Sequence, residues 1–227
     1  MAPVRAYNRR VAKRFDAGRD GGLIDALARA LGVALPAAQR PALVEYVQRV
    51  ADWNEKLDLT AARTAVALCE VLLADALILS DPALVAAGCR FVDLGSGGGA
   101  PAIPLLALRP DLSATLVEPK HKRVAFMRGV IGALGYGARV QVVEGRIEPE
   151  ADGSALTQAH DLALSRATLA PPAWLALGAR LAPAVLVLVA AEPLPDAPEG
   201  CLLTTVREYR LPEGDRPRKV GLYRRGP

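Results

Sequence analysis

The sequence has few of the residues that cross-link small proteins or bind metal ions. Only three of its 227 residues are cysteines and two are histidines. Cys69, Cys89 and Cys201 are odd in number and far apart, which argues against a disulfide framework and against a zinc site. Free cysteines of this kind are typical of a reducing compartment. We therefore expect a cytoplasmic protein without a resident metal ion.

Long apolar runs are also missing. No stretch of 18 or more apolar residues occurs, although 52% of the chain is apolar. This pattern predicts a globular protein that buries its own core and has no membrane partner. Residues 1–20 are basic and lack the apolar segment of a secretory signal. We interpret them as a disordered basic arm, with a mitochondrial-type transit peptide as the alternative.

The charge is modest in total but uneven along the chain. The net charge is +4, yet residues 1–19 hold six Arg or Lys and residues 207–227 hold seven. The middle of the chain is net negative. Basic ends around such a body favour a polyanionic partner such as nucleic acid. The alternative is that these charges only keep the protein in solution.

The periodicity of apolar residues changes near residue 90. Before it, helical spacing predicts helices at 22–31, from 41 to about 56, and from Thr64 as N-cap to 79. After it, predicted strands at 90–94, 114–117, 139–143, 161–164 and 185–189 alternate with helices. Two later strands, 202–209 and 219–224, close the sheet as an antiparallel hairpin.

Alternating strands and helices predict an α/β fold with a mostly parallel, doubly wound sheet of seven strands. The earlier helices are not part of a minimal nucleotide-binding fold. We therefore divide the chain into the arm at 1–20, a helical extension at 21–82 and a cofactor-binding domain at 83–227, with the last two forming one compact unit.

A glycine-rich turn follows the first strand and is the main functional signal. Gly95 and Gly97 belong to a run that fits G-x-G-x-x-G/A, and Glu118 lies 23 residues after Gly95, where an acidic residue binds ribose hydroxyls. Such a turn suits NAD or S-adenosylmethionine (SAM). Asp93, two residues before the first glycine, and three consecutive glycines favour SAM. The SAM-binding residues are then expected to include Ile147 beside the adenine and Arg166 at the sheet edge.

Three runs of residues resemble one family. The leader contains W-N-x-x-x-x-L-T, with Trp53, Asn54, Leu59 and Thr60. The glycine turn continues as G-x-P-x-I-P-L, and a K-R-x-x-F-x-R run begins at Lys122. Together these resemble the bacterial 16S ribosomal RNA guanine-N7 methyltransferases (the RsmG or GidB family), which implies a Rossmann-like class I SAM methyltransferase fold.

The resemblance implies SAM-dependent transfer to N7 of a guanine in the 530 loop of 16S rRNA. The implied partner is that RNA or the 30S subunit, bound by a monomer. The glycine-loop pattern and the resemblance together assign a set of residues to SAM, and the resemblance assigns another to RNA. The SAM set is Asp93, Gly95, Gly97, Ala100, Glu118, Ile147, Glu148 and Arg166, and the RNA set is Lys122, Arg123 and Arg128.

The expected chemistry needs no catalytic acid or base. N7 of guanine has a free lone pair and no proton to lose, so positioning carries the reaction. Accordingly no Ser-His-Asp, Cys-His or paired-carboxylate pattern is present, and Asp75 is the only candidate for a carboxylate near the base. Trp53 is interpreted as a core residue, with base stacking as the alternative.

The chain departs from the family pattern at Leu72, Ala76 and Glu192. The departures at Leu72 and Ala76 lie in the third leader helix, where the family usually has a His-x-x-Asp-Ser run. Glu192 stands where the family usually has Lys-Gly after the fifth strand. Three alternatives therefore stay open: a SAM methyltransferase for another RNA or a small molecule, a non-catalytic RNA-binding protein on this scaffold, and an NAD oxidoreductase.

Overall fold

A seven-stranded sheet forms the centre of the computed structural model, which describes residues 15–147 and 159–226. The strands are β1 (Arg90–Leu94), β2 (Ser113–Glu118), β3 (Val140–Glu144), β4 (Leu162–Ser165), β5 (Ala184–Val189), β6 (Cys201–Leu211) and β7 (Arg216–Arg225). Their order is β3-β2-β1-β4-β5-β7-β6. The first five are parallel, and β7 and β6 are antiparallel additions. The predicted α/β fold class is confirmed.

Seven helices surround this sheet within residues 15–147 and 159–226. They are α1 (Ala17–Asp20), α2 (Gly22–Ala30), α3 (Arg40–Leu57), α4 (Ala65–Leu79), α5 (Ala102–Leu108), α6 (His121–Ala133) and α7 (Pro171–Leu181). Most bounds agree with the sequence patterns to within two residues. Thr64 caps α4 as expected, because its side chain accepts a hydrogen bond from the backbone N–H of Ala67 at 3.1 Å.

The predicted end of the disordered arm at residue 20 is wrong. Residues 17–20 form α1, and the Phe15 side chain before it is only 2% exposed. A phenyl ring buried in the core stabilises the start of the packed structure, which the basic composition of the segment conceals. Residues 1–14 lie outside the described part of the chain.

The leader helices pack into the same core as the sheet. Helix α4 is apolar on nearly all sides, and a helix of that kind has to be buried. It packs against both α2 and α5. One hydrophobic cluster consequently joins Ile24, Tyr46 and Leu73 of the leader to Leu105 and Leu116 of the sheet region.

The sheet topology decides where a ligand can bind. The parallel strands β1, β2 and β4 all end at the same edge, and the strand order reverses between β1 and β4. Ligands of open α/β sheets bind at such a reversal, outside the carboxyl ends of the strands. Along residues 15–147 and 159–226, no helix is long and apolar enough to cross a bilayer.

The shared core predicts that leader and sheet unfold together. Leu73→Ala removes a fully buried side chain from α4 and should lower the free energy of unfolding by about 2–5 kcal/mol. The reporter is Trp174 in α7, read by fluorescence during urea unfolding in a Trp53→Phe background, since Trp53 is 45% exposed.

The control is Val66→Ala on the exposed side of α4, which should leave the urea midpoint nearly unchanged. A leader that folds separately would lose helical circular dichroism in Leu73→Ala while the Trp174 transition stays in place.

Candidate cofactor and substrate site

The turn after β1 requires glycine for two physical reasons. Gly95 and Gly97 have φ angles of +70° and +59°, in the left-handed region that side chains disfavour. In addition, a Cβ atom on Gly95 would lie 2.3 Å from Oγ1 of Thr168. The loop after β4 therefore packs directly on bare backbone, and Gly97 presents its open face to the edge of the sheet.

Hydrogen bonds from two neighbouring elements fix the shape of this turn. The backbone N–H of Gly97 donates to Oε2 of Glu118 at 2.9 Å, and the N–H of Lys120 donates to Oε1 at 3.0 Å. From the leader, the Tyr46 hydroxyl donates to the carbonyl of Gly98 at 3.0 Å. Glu118 is thus both part of the predicted ribose position and a structural anchor of the turn.

The leader motif closes the site from the other side. The Asn54 side chain donates to the Thr60 carbonyl at 3.0 Å and accepts from the Thr60 N–H at 2.8 Å. Arg123 Nη2 donates to the carbonyl of Asp58, also at 3.0 Å. These bonds hold Leu59 and Thr60 on the cavity wall. Their role was not predicted from sequence, although the W-N-x-x-x-x-L-T run was the available signal.

A cavity of about 560 Å³ opens beside the turn, within the usual range of about 300–1,000 Å³ for small-molecule sites. It brings together most of the residues predicted to bind SAM. On its wall lie Gly95, Gly97, Ala100, Glu118, Ile147 and Arg166. Asp93 is not among the lining residues, and Glu148 lies outside the described residues.

Asp93 lies at the end of β1 with its side chain buried. It is 1% exposed, and its Oδ2 has no hydrogen-bond partner within the described residues. Burial raises the pKa of this carboxyl to about 7, an effect that the charge of Arg166 offsets in part. A buried charged acceptor without a partner is costly, which favours the protonated form of this carboxyl.

These features fit SAM. The bare backbone of the turn leaves room for the ligand, as in other glycine-rich cofactor loops. The Glu118 carboxylate supplies acceptors for ribose hydroxyls, and Ile147 supplies an apolar contact for a base.

A second cavity of about 330 Å³ adjoins the first. The two share wall residues, namely Val71, Arg166, Ala167, Leu169 and Trp174. Arg166 stands at this border, where its Nη1 donates to the Val71 carbonyl at 2.6 Å and to Oδ2 of Asp75 at 3.1 Å. Asp75 lines the second cavity only, and its Oδ1 also accepts from the Tyr209 hydroxyl.

Two of the three departures from the family pattern lie on the walls of these cavities. Leu72 lines the first cavity, Glu192 lines the second, and Ala76 is fully buried in the core. The helix α4 therefore contributes Leu72 to one site and Asp75 to the neighbouring one. Three residues apart on a helix, they lie on adjacent parts of the same face.

The three basic residues predicted to contact RNA do not share one environment. Lys122 and Arg128 are exposed on α6, and Arg128 donates to the Val142 carbonyl at 3.0 Å. Arg123 instead lines the first cavity. The core interpretation of Trp53 is wrong, because its ring is 45% exposed and lies 5.1 Å from Nζ of Lys56. Trp53 lies near the end of α3 on its exposed side, and helical spacing alone did not distinguish an exposed from a buried position there.

No group of three or more His, Cys, Asp or Glu side chains that could hold a metal ion occurs in the described ranges 15–147 and 159–226. Each histidine there has another role. Nδ1 of His121 lies 2.8 Å from Oε2 of Glu144, on the surface. Nε2 of His160 lies 2.9 Å from Oγ1 of Thr115, in the core.

Comparison with known proteins gives a consistent result. Residues 39–175 match the family described as GidB, rRNA small subunit methyltransferase G. The chain is 36% identical over 218 residues to ribosomal RNA small subunit methyltransferase G of Anaeromyxobacter dehalogenans strain 2CP-C, which covers 91% of this chain and 99% of that protein. It is 39% identical over 164 residues to the protein of the same name from strain 2CP-1, covering 71% and 74%.

A solved structure resembles the fold. It is a Pyrococcus horikoshii protein described as a candidate RNA methyltransferase, with a TM-score of 0.50 and 15% identity. The match covers 92% of this chain and all of the other chain. At this identity the likeness concerns the fold alone.

The buried Asp93 predicts a distinctive pH dependence of stability. Because its pKa in the folded protein, about 7, is above the ordinary 3.8, its contribution to stability is complete at low pH and is lost as the pH rises towards 7. Between pH 5 and pH 8 the protein without ligand should lose about 3 kcal/mol of unfolding free energy more than Asp93→Asn does.

Urea unfolding at both pH values measures this difference. Asp196→Asn, which removes an exposed carboxyl, should keep the wild-type pH dependence. Equal pH dependence in the wild type and in Asp93→Asn would contradict the assignment.

Proposed function

We propose that this chain, which belongs to the rRNA small subunit methyltransferase G family, methylates N7 of a guanine in 16S rRNA with SAM as methyl donor. Membership in this family shows that the protein is an rRNA methyltransferase. The atom, the nucleotide and the assignment of individual residues are our proposal. The observation that supports them most directly is the pair of adjoining cavities at the sheet edge, one suited to SAM and one open to a substrate.

SAM supplies an electrophilic methyl group when it is bound. The protein's part is to bind and orient. Glu118 holds the turn and offers acceptors to the ribose, and Ile147 contacts the adenine. The leader residues Leu59 and Thr60 cover the cavity from above the turn and exclude water. The Arg166 side chain, held by Val71 and Asp75, lines both cavities and lies beside the ligand and the base.

Guanine N7 has a lone pair and no proton, so the reaction asks no residue to act as an acid or a base. The described site is consistent with this demand. The carboxyl of Asp93 is buried away from the cavity wall, and that of Asp75 is already paired with Arg166 and Tyr209. The rate then rests on proximity and orientation. The transferred methyl leaves a cationic ring, which the Asp75 carboxylate beside the second cavity stabilises.

Methyl transfer to RNA tests the proposal. The protein is incubated with labelled SAM and either 16S rRNA or 30S subunits from cells that lack the modification, and the modified base is mapped. We expect label on N7 of one guanine.

The variant Glu118→Gln should bind SAM about tenfold to hundredfold more weakly than the wild type, because its amide NH₂ faces a backbone N–H where an acceptor is needed.

The matched control is Glu144→Gln, the same change at the partner position on β3. Its carboxylate is outside the cavity and it should transfer methyl groups at the wild-type rate. Label on a small molecule or on another RNA, with none on 16S rRNA, would overturn the substrate assignment. Unchanged SAM affinity in Glu118→Gln would overturn the role of Glu118.

The exposed cations of α6 should contribute to RNA affinity but not to SAM affinity. Lys122→Ala and Arg128→Ala should each weaken RNA binding and reduce the slope of log K against log salt by about 1, because each removes one phosphate contact. Arg123→Ala should instead weaken SAM binding, since it releases the Asp58 carbonyl. Filter binding at several salt concentrations and calorimetry with SAM measure the two effects.

Arg29→Ala, which removes an exposed cation from α2, is the control for lost charge. It should keep the wild-type salt slope. RNA binding that is equally weakened by Arg29→Ala would show that α6 is not a specific RNA surface.

A further inference from the structure

The second cavity has an apolar side and a polar side. Trp174, Leu169 and Pro171 provide flat apolar surface near the border with the first cavity. The part of the wall that is not shared with the first cavity contains carboxylates and arginines. Its volume of about 330 Å³ is at the small end of ligand sites, which suits a single nucleobase better than a large molecule.

Of the three carboxylates on this wall, two are already engaged. Glu70 accepts from Nη2 of Arg216 at 3.0 Å and from the Glu213 N–H. Asp75 accepts from Arg166 and from the Tyr209 hydroxyl. Glu192 is different, because its exposed side chain lines the cavity and makes no hydrogen bond or ion pair with any residue in 15–147 or 159–226.

We propose that the second cavity holds the target guanine and that the Glu192 carboxylate reads its Watson–Crick edge. Guanine is the base that presents two adjacent donors there, N1–H and the N2 amino group, and a carboxylate accepts both at once. Adenine presents an acceptor at N1 and would be disfavoured. The inference deepens the proposed function and rests on it.

The placement of Glu192 agrees with transfer to N7. N7 lies on the opposite side of guanine from N1 and the N2 amino group. Glu192 lines the second cavity only, so a base bound to it through N1 and N2 leaves its N7 side free for the border with the methyl donor. A group that recognises guanine through N1 and N2 does not contact N7, so the reacting atom stays free.

Arg166 completes the recognition at the border. Both hydrogen bonds described for the Arg166 side chain, to Val71 and to Asp75, come from Nη1. Nε and Nη2 are therefore left to donate to O6 of guanine, the acceptor next to N7. The neighbouring Asp75 balances the positive charge of Arg166, so the guanidinium opposes the cationic product less. Glu192 adds a second negative charge on the far side of the ring.

The test combines a protein variant with a change of base. Once the modified nucleotide is mapped, 16S rRNA is assembled by splinted ligation with either guanosine or inosine at that position, since inosine lacks only the N2 amino group. The wild type should methylate guanosine RNA about tenfold to hundredfold more efficiently than inosine RNA, as kcat/KM. Glu192→Gln should lower kcat/KM for guanosine RNA by a similar factor and largely remove the preference.

Glu199→Gln, the same change at an exposed position on the same β5–β6 connection, is the control and should behave as the wild type. SAM affinity and the thermal midpoint should be unchanged in both variants, which separates base reading from a structural effect. A Glu192→Gln protein that keeps the wild-type rate, or that is slower but keeps the full guanosine preference, would overturn the inference. Failure of the wild type to methylate guanosine RNA would instead overturn the proposed function.

Discussion

The glycine turn after β1 cannot hold its own shape, and the site depends on the groups that impose it. Ser96 is the only residue between Gly95 and Gly99 with a side chain, and its hydroxyl donates to the Asp93 carbonyl at 2.9 Å. The other supports of the turn are the Glu118 carboxylate on β2, the Tyr46 hydroxyl on α3 and the Thr168 side chain after β4. Each comes from a different element. Leader and sheet together therefore hold this small turn, and a change in any of these supports is transmitted to the first cavity.

This dependence explains why a helical leader is added to a nucleotide-binding sheet. The leader supplies a cover as well as hydrophobic packing. Asn54 folds the chain back so that Leu59 and Thr60 form one wall of the first cavity. Helix α4 supplies Val71 and Asp75 at the border and on the second cavity. A minimal sheet would leave both cavities open to water, which weakens every electrostatic interaction inside them.

Charge is arranged so that the border between the cavities is nearly neutral. Arg166 is the cation at this point, and Asp75 lies 3.1 Å from it. Asp93, which the same guanidinium influences, stays buried with a raised pKa of about 7. On the proposed function, a neutral border suits a reaction that brings a cationic donor to a neutral base and leaves the base cationic. The carboxylates of the second cavity then favour the product charge.

The sequence by itself determined the element order, the parallel sheet and the glycine turn, because these follow from local periodicity and from the conformational freedom of glycine. It also identified six residues on the wall of the first cavity, most of which stand at or just after the ends of predicted strands. Only the tertiary structure decided that Phe15 is buried and Trp53 is exposed. It also placed Arg123 on the wall of the first cavity and brought Asp75, Arg166 and Glu192 to the second one. These residues are up to 117 positions apart in the chain (75 to 192), and their proximity depends on packing between helices and on strand order, which no local pattern encodes.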